Sequence, residues 1–398
     1  MDTKNIQRRY DLDWLRVLAI LMVFIYHSSR FFNLEGWHVK NSVTYFGVEV
    51  WNGFATNWMM PLIFVISGAS IFYALGKGGI GKFLKDKVLR LLVPLLVGAF
   101  THASLQVYLE RITHGQFTGS YFEFLPFYFQ GVYDDGDPTA GNFAFHGMHL
   151  WYLLFLFLFS LVFYPLLRWL RGGGRSLLAK LGDFLALPAA VYLLALPIIL
   201  LLRFMDPNNP LRDIDPGGWG MAMYMCFFLA GFVIFSHHER LQASIRRLRW
   251  LSLGLGLVLL TAHLLFDFQA IRPAFGALSG LLMSAIEAMA AWAIILAIVG
   301  FAMRHLTSHT PFLSYSNEAV LPFYILHQTV LLNVGYFVVQ WQVPDLLKWL
   351  VIVPTSFAII MGIYEYLVRR NNILRFLFGM KLLPARPVQE ARQALQAG

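Results

Sequence analysis

Ten long apolar segments constrain the fold of this 398-residue chain more than any other feature. A membrane-spanning helix needs about 20 predominantly apolar residues. The segments are residues 12–32, 54–76, 89–109, 149–169, 184–203, 219–236, 250–268, 275–303, 318–340 and 348–368. Backbone groups inside lipid must find their hydrogen-bond partners within the protein, and segments of this length do so as helices. We therefore expect an all-α, multi-pass membrane protein with about ten transmembrane helices.

The composition excludes other classes of protein. Hydrophobic residues make up 58% of the chain and charged residues 13%, whereas ordinary globular domains are roughly 25% charged. A soluble enzyme and a disordered chain are both excluded by this balance. The single cysteine, Cys226, cannot form an internal disulfide or a CxxC pair. The neighbouring His237 and His238 lack the i, i+4 spacing that places two metal ligands on one helix face, so we expect no metal site.

The positive charges are distributed as a membrane orientation requires. In the ten-span arrangement, 24 of the 31 lysines and arginines lie on the side that holds both termini, and such an excess marks the cytoplasmic side. The net charge of +9 is explained by orientation, so we expect no nucleic acid partner. We interpret residues 1–380 as one transmembrane domain and residues 381–398 as a flexible cytoplasmic tail.

The first span carries titratable residues, which are costly in a membrane and therefore candidates for function. Arg16 and His27 are eleven residues apart, about three helical turns with a rise of about 16 Å, so they share one helix face. Asp13 lies one turn below Arg16 and is placed to orient it. A guanidinium suits phosphate, and a histidine suits proton abstraction from a hydroxyl. Alternatively, Arg16 is an anchor at the inner surface and His27 an interhelical hydrogen-bond donor.

Lys87 and Arg90 form a second pair of cations at the start of the third span. Their i, i+3 spacing predicts that they share one face at the cytoplasmic mouth, although orientation charge alone would also explain them. The nearby segment 76–82 is rich in glycine and lysine, but Phe83 stands where a nucleotide-binding loop needs serine or threonine. We therefore exclude a nucleotide hydrolase.

These residues give the chain its resemblance to a known family. Leu12-Asp13-Trp14-Leu15-Arg16 followed by His27, the serine-glycine pair that ends Pro61–Gly68, and the cation pair before Pro94 resemble the acyltransferase-3 family of integral membrane O-acyltransferases. Lys87 stands where that pair commonly has an arginine. Further short stretches are similar to the glucan branch of the family. They are Gly36-Trp37-His38-Val39, His149-Leu150-Trp151-Tyr152 and Tyr324-Ile325-Leu326-His327.

The resemblance implies a ten-helix enzyme of the bacterial inner membrane. Such an enzyme takes an acetyl or succinyl group from cytoplasmic acyl-CoA and places it on a hydroxyl of a glucan or other glycan, in many members on the periplasmic side. By resemblance, His27 is the catalytic histidine, Arg16 its companion, and Lys87 with Arg90 the contact for the donor's phosphates. No tightly bound cofactor is implied. The histidine either acts as general base or carries the acyl group, and both routes remain open.

Two other ionisable residues lie deep in predicted spans. Glu287 is a candidate to orient His27 or His327, or to bind the acceptor. His327 is a candidate to shuttle protons or to hold the thioester carbonyl, with an interhelical hydrogen bond as the alternative. Both are included with Asp13, Arg16 and His27 in the expected catalytic set.

The acceptor is expected at the outer surface. His149 and Trp151 at the start of the fourth span, His38, and Tyr128 in the outer loop 110–148 are the candidate substrate-binding residues. Aromatic rings stack on sugars, and the carboxylates of this loop accept hydrogen bonds from hydroxyls. A loop lying in the lipid headgroup region, or an aromatic belt at the interface, is the alternative.

A different class of function is also open to a chain with ten spans and buried ionisable residues. A secondary transporter or flippase would fit, but transporters often contain paired repeats with interrupted helices at matching positions, and the prolines here do not divide the chain into similar halves. A scaffold that keeps the fold without the chemistry is the second alternative. The expected partners are acyl-CoA, the glycan and membrane lipid, and the sequence does not indicate an oligomeric state.

Overall fold

The computed structural model describes residues 8–76, 78–134, 141–213, 217–236, 239–265 and 277–384, and within these ranges the protein is helical. The described residues contain no β-strand, only two isolated bridges between residues 131–132 and 141–143. The predicted all-α class is therefore confirmed. His237, His238 and most of the predicted tail, residues 385–398, lie outside the described residues.

Seventeen α-helices lie in the described ranges. They are α1 (Tyr10–Ser29), α2 (Phe46–Ala74), α3 (Ile80–Lys87), α4 (Val93–Phe100), α5 (His102–Thr113), α6 (Tyr121–Tyr128), α7 (Trp151–Val162), α8 (Tyr164–Arg171), α9 (Arg175–Leu185), α10 (Leu196–Phe204), α11 (Pro210–Asp213), α12 (Met221–Ile234), α13 (Glu239–Leu265), α14 (Ala277–His305), α15 (Pro311–Val338), α16 (Asp345–Ile363) and α17 (Asn372–Leu377). Short 3₁₀ turns cover Met148–Leu150 and Ala190–Ala195, and π-helical turns cover Val88–Leu92 and Tyr364–Val368.

Within the described part of the chain, seven helical segments are long and apolar enough to cross a membrane unbroken. They are α1, α2, Ile80–Thr113, α13, α14, α15 and Asp345–Val368. Two bent pairs, α7 with α8 and α9 with α10, raise the count to nine if each pair is one span. This confirms a multi-pass membrane protein, while the count of ten and the side of the termini remain predictions.

The remaining predicted spans depart from straight helices for identifiable reasons. The pair α7 and α8 bends by 57° next to Pro165, because proline has no N–H to continue the helical ladder. The pair α9 and α10 bends by 116° at Pro188 and at Ala189, whose φ is +60°. The segment predicted at 219–236 is the 14-residue helix α12. The apolar pattern gave the location of these helices but not their breaks.

The centre of the fold is α2, which packs against α1, α12 and α14. Close contact between α2 and α12 depends on two glycines. A β-carbon built on Gly68 would lie 1.8 Å from the carbonyl oxygen of Phe228, and one built on Gly231 would lie 2.0 Å from that of Val65. Small residues allow this close approach of helices in membranes.

Replacing Gly68 with alanine is therefore expected to force α2 and α12 apart. Overpacking of this kind lowers the free energy of unfolding by about 1–3 kcal/mol, which thermal unfolding in nanodiscs would detect. Gly254 in α13 is the matched control, because a β-carbon there meets no atom within 4 Å. If both alanine variants unfold at the wild-type temperature, the close packing of α2 on α12 does not contribute to stability.

Candidate active site

Two histidines from different helices meet in the interior. His27 near the end of α1 and His327 in α15 form a hydrogen bond of 2.8 Å between His27 Nδ1 and His327 Nε2. His327 is fully buried, and the two rings are stacked with centroids 5.0 Å apart. Arg16, lower on α1, also bonds α15, through Asn317 Oδ1 at 3.2 Å. Arg16 and His27 therefore share the α15-facing side of α1, as their spacing predicted.

The hydrogen bonds of His327 assign the protons in this pair. His327 Nδ1 lies 2.6 Å from the carbonyl oxygen of Tyr324, which can only accept, so Nδ1 carries the hydrogen and Nε2 of the neutral ring has a lone pair. His27 Nδ1 must then donate to it, and the lone pair of His27 lies on Nε2. That nitrogen has no hydrogen-bond partner among the described residues and is not among the buried atoms.

His149 extends the pair to a cluster of three histidines. Its ring is perpendicular to that of His327, with centroids 4.8 Å apart. Nε2 of His149 donates to the carbonyl oxygens of Tyr324 at 3.1 Å and Ile325 at 3.2 Å. The Tyr324 hydroxyl donates back to the carbonyl of His149. Tyr324 thus holds both histidines through its main chain.

A run of hydrogen bonds connects this cluster to the loop that follows α1. Gln106 Nε2 contacts His149 Nδ1 at 3.4 Å, and Gln106 Oε1 accepts from Gln328 Nε2 at 3.0 Å. Gln328 Nε2 also contacts His38 Nε2 at 3.3 Å, and His38 Nδ1 donates to the carboxylate of Glu110. Gln106, Gln328 and Glu110 are all buried. His38 is therefore part of the interior site rather than of an outer surface.

The loop that carries His38 is held in place at both ends. The Trp37 ring lies parallel to that of His27, with centroids 6.3 Å apart. Lys40 Nζ donates to the carbonyl oxygens of Arg30 and Asn33 at 2.8 and 2.6 Å. Burial and the nearby Arg30 guanidinium lower the pKa of Lys40 to about 8, and these effects outweigh the attraction of the Glu49 and Glu35 carboxylates, which raises it.

A cavity of about 300 Å³ extends beneath the histidines. Arg16 and Arg90 lie on its wall with Ser67, Tyr152 and Tyr324. The Tyr152 and Ser67 hydroxyls are 2.6 Å apart. Tyr324 both lines the cavity and accepts the hydrogen bond of His327 through its carbonyl, so it is the residue that connects the cavity wall to the histidine cluster.

Arg16 is oriented from three sides. Its guanidinium donates to Asn317, to Ser70 Oγ at 3.0 Å and to Asp13 at 3.4 Å. Asp13 thus contacts Arg16 as its position one turn away predicted. The Arg16 side chain remains 36% exposed, so it can meet an anion that enters the cavity.

The predicted pair Lys87 and Arg90 contributes one of its members, Arg90, to the cavity wall. A π-helical turn, Val88–Leu92, follows Lys87 and changes the angular relation that an α-helix gives positions i and i+3. Arg90 lines the cavity, whereas Lys87 does not and instead lies over the Phe83 ring at 5.3 Å. Arg90 therefore lies at the cavity as expected, whereas a role for Lys87 at the site stays a prediction.

Three other predicted residues are not hydrogen-bonded to His27 or His327 in the part of the chain that the structure describes. The hydrogen-bond partners of His27 and His327 do not include Glu287, whose backbone carbonyl accepts from Asn57. Trp151 packs in an aromatic cluster with Phe64, Phe155 and Tyr224. Tyr128 is fully buried, and its hydroxyl donates to the carbonyl of Ala99 at 2.6 Å. Its ring therefore cannot stack on a sugar at the surface, which overturns that expectation.

The sequence interpretation also missed residues that the structure places in the site. Gln106, Asn317 and Ser70 were not singled out for function, and Glu110 was assigned to the outer loop rather than to the end of α5. The signal was present for Gln106, because an amide inside an apolar segment needs a partner in the protein, whereas Asn317 lies just before the predicted span 318–340. Among the described residues, no group of three or more His, Cys, Asp or Glu side chains is arranged to hold a metal ion.

Transmembrane helices that bring a buried histidine cluster next to an arginine-lined cavity have the parts of a membrane-embedded transferase. Over residues 9–365 the sequence matches the family described as Acyltransferase domain. The chain belongs to this family, acyltransferase-3, and is an acyltransferase, as the sequence motifs predicted. No solved structure matches the chain.

The sequence is also similar to individual members with a common name. Proteins named Glucans biosynthesis protein C from Salmonella paratyphi B, Salmonella enteritidis PT4 and Salmonella paratyphi A are each 23% identical to this chain over 98% of both chains. The similarity therefore extends over nearly the whole chain.

Proposed function

We propose that this enzyme transfers an acetyl or succinyl group from cytoplasmic acyl-CoA to a hydroxyl of a glucan or other glycan on the periplasmic side of a bacterial inner membrane. The observation that carries the proposal is the cavity that runs from Arg16 and Arg90 to Tyr324, whose carbonyl holds the histidine cluster. A donor with phosphates at one end and a thioester at the other matches a cavity with cations at one end and histidines beyond the other.

The donor's phosphates would bind Arg16 and Arg90. Guanidinium groups bind phosphate through charge-assisted hydrogen bonds, and both side chains lie at the cavity wall. The charge distribution predicts this end to be cytoplasmic, where acyl-CoA is made. The Tyr152 and Ser67 hydroxyls are available to the polar groups of the donor's arm.

The acceptor would approach from the side of His38 and Glu110. The name of the Salmonella relatives refers to glucans, and a glucan offers hydroxyl groups as acyl acceptors. A buried carboxylate next to a histidine suits a hydroxyl that loses its proton on transfer. The donor and acceptor would then meet at His27.

His27 would act through Nε2. The hydrogen-bond pattern of His327 supports a lone pair on that nitrogen, and both possible roles require one. As a general base, Nε2 takes the proton of the acceptor hydroxyl. As a nucleophile, it attacks the thioester carbonyl and carries the acyl group.

The donor assignment can be tested by comparing the two cations of the third span. In nanodiscs with acetyl-CoA or succinyl-CoA and glucan, we expect wild-type protein to release free CoA from one of the two donors. Arg90→Gln removes a charge-assisted bond and should raise the donor KM about 10-fold. Lys87→Gln, the matched control outside the cavity, should change it less than about 2-fold.

Two results would contradict the proposal in different ways. Equal effects of the two substitutions would place the donor's phosphates elsewhere than in the cavity. No CoA release from either donor by folded wild-type protein would exclude acyl-CoA, and transport of a glycan would become the next activity to assay.

A further inference from the structure

His38 and His27 differ in their hydrogen-bond partners, because one partner is a carboxylate and the other is an imidazole ring. His38 Nδ1 donates to the carboxylate of Glu110, an anion. His27 Nδ1 donates to His327, whose other nitrogen is bonded to a backbone carbonyl, so no carboxylate is bonded to this partner. The difference bears on which of the two histidines can hold an additional proton.

The Glu110 carboxylate is built into the protein as a fixed partner for His38. Glu110 is 5% exposed and accepts a second hydrogen bond from the Tyr133 hydroxyl at 2.9 Å. Arg111 Nη1 lies 3.3 Å from its other oxygen. A histidine that gains a proton beside a buried carboxylate becomes part of an ion pair, which is how a carboxylate supports a general base.

His27 lacks such support among its hydrogen-bond partners. A proton taken up at its Nε2 would have no bonded carboxylate on either ring, whereas a proton on His38 would be paired with Glu110. The neutral His27 ring keeps a nucleophilic lone pair on Nε2. Of the two histidines, His38 is thus the better suited to hold the acceptor's proton, which leaves His27 to form the bond to carbon.

His27 and His38 are connected by their neighbouring residues, so both can reach the same bound acyl group and acceptor. Gln328, which contacts His38 Nε2 at 3.3 Å, directly follows His327 in α15, and Trp37, which precedes His38, lies parallel to the His27 ring. The contact to Gln328 is long for a hydrogen bond, so an acceptor hydroxyl can replace it at His38 Nε2. His38 retains 11% side-chain exposure.

We propose that the two histidines divide the reaction, with His27 as the acyl carrier and His38, supported by Glu110, as the general base for the acceptor hydroxyl. This rests on the proposed function. In the first step, His27 Nε2 bonds to the thioester carbonyl carbon, the carbon–sulfur bond breaks, and CoA leaves as thiolate. His27 keeps its Nδ1 hydrogen, so the acyl-imidazole carries a positive charge that balances the thiolate.

In the second step the acceptor oxygen bonds to the acyl carbon while its proton passes to His38 Nε2. The carbon–nitrogen bond breaks, and its electron pair returns to His27 Nε2. His38 then releases the proton to solvent, where it balances the charge of the thiolate. The products are a glycan ester and CoA, and both histidines are again neutral.

The proposal separates the two half-reactions, so His38→Gln is the decisive variant in the full-length protein in nanodiscs. Without acceptor, we expect it to release about one equivalent of CoA per protein and to retain a radiolabelled acyl group, as wild type does. With glucan, its turnover should fall by about 10²–10⁴-fold. Glu110→Gln should show the same separation. His114→Gln, at an exposed position, should match wild type in both assays.

Other outcomes would overturn the assignment. If His38→Gln and Glu110→Gln both fail to release the single equivalent of CoA without acceptor, His38 acts in the first step or in folding. The assignment of His38 to the second step then fails. Wild-type turnover in both variants would exclude His38 as base. If wild type releases CoA only when glucan is present and retains no label, transfer is direct and the carrier role fails. No CoA release by wild type under any condition contradicts the proposed function itself.

Discussion

Replacing His27 with alanine is expected to lower acyl transfer by about 10²–10⁴-fold or to abolish it. The substitution removes Nε2, the nitrogen with the free lone pair, and leaves Arg16 and Arg90 on the cavity wall, where we propose that the donor's phosphates bind. The donor should therefore still bind, with a dissociation constant close to that of wild type. Steady-state CoA release and equilibrium binding of a non-hydrolysable donor analogue would measure the two effects separately.

The control for this variant is His114→Ala. His114 is also a histidine but is exposed at the end of α5, and its loss should leave activity and thermal unfolding unchanged. A His27→Ala protein that is folded, binds donor and turns over at the wild-type rate would exclude His27 from the chemistry. Loss of donor binding together with activity would point instead to a role in shaping the cavity.

The local part of the site followed from the sequence. Positions 13, 16 and 27 lie on one helix, so helical geometry alone places them on a shared face, and the contacts of Arg16 and His27 with α15 agree. The all-helical class followed from apolar length alone. These inferences depend on distances along one element, which a sequence contains directly.

The partners of these residues could not be predicted in the same way. His27 and His327 are 300 positions apart, and Gln328 and His38 are 290 apart. A sequence shows that a buried polar residue needs a partner but not which helix supplies it. Glu287 was expected to orient the histidines for this reason, whereas the partner of His27 is His327.

Local irregularities of the backbone account for the other differences between the predicted and the observed side-chain positions. Arg90 lies on the cavity wall and Lys87 does not. A π-helical turn follows Lys87, and no pattern of residue types indicates such a turn. His149 faces the histidines while Trp151 packs elsewhere, because the 3₁₀ turn Met148–Leu150 begins at Gly147 and Met148, both with positive φ. Tyr128 was expected at the surface, but its helix α6 packs its ring into a small core of its own.

Replacing His327 with leucine is expected to cause the second large loss of turnover. His327→Leu removes the acceptor of His27 Nδ1–H and leaves the Tyr324 carbonyl without the bond from Nδ1, so His27 is no longer held in the tautomer with a lone pair on Nε2. We expect turnover to fall about 10²-fold, as for groups that orient a functional histidine through its second nitrogen, with little change in donor KM.

His327→Gln distinguishes orientation from packing. A glutamine side chain has an oxygen to accept from His27 and an amide to donate to Tyr324, so it should restore most of the lost turnover, although it is no closer to histidine in shape than leucine is. If the two variants lose activity equally, the loss comes from packing at this fully buried position. If His327→Leu is fully active, His27 selects its tautomer without His327, and the lone pair on Nε2 has another cause.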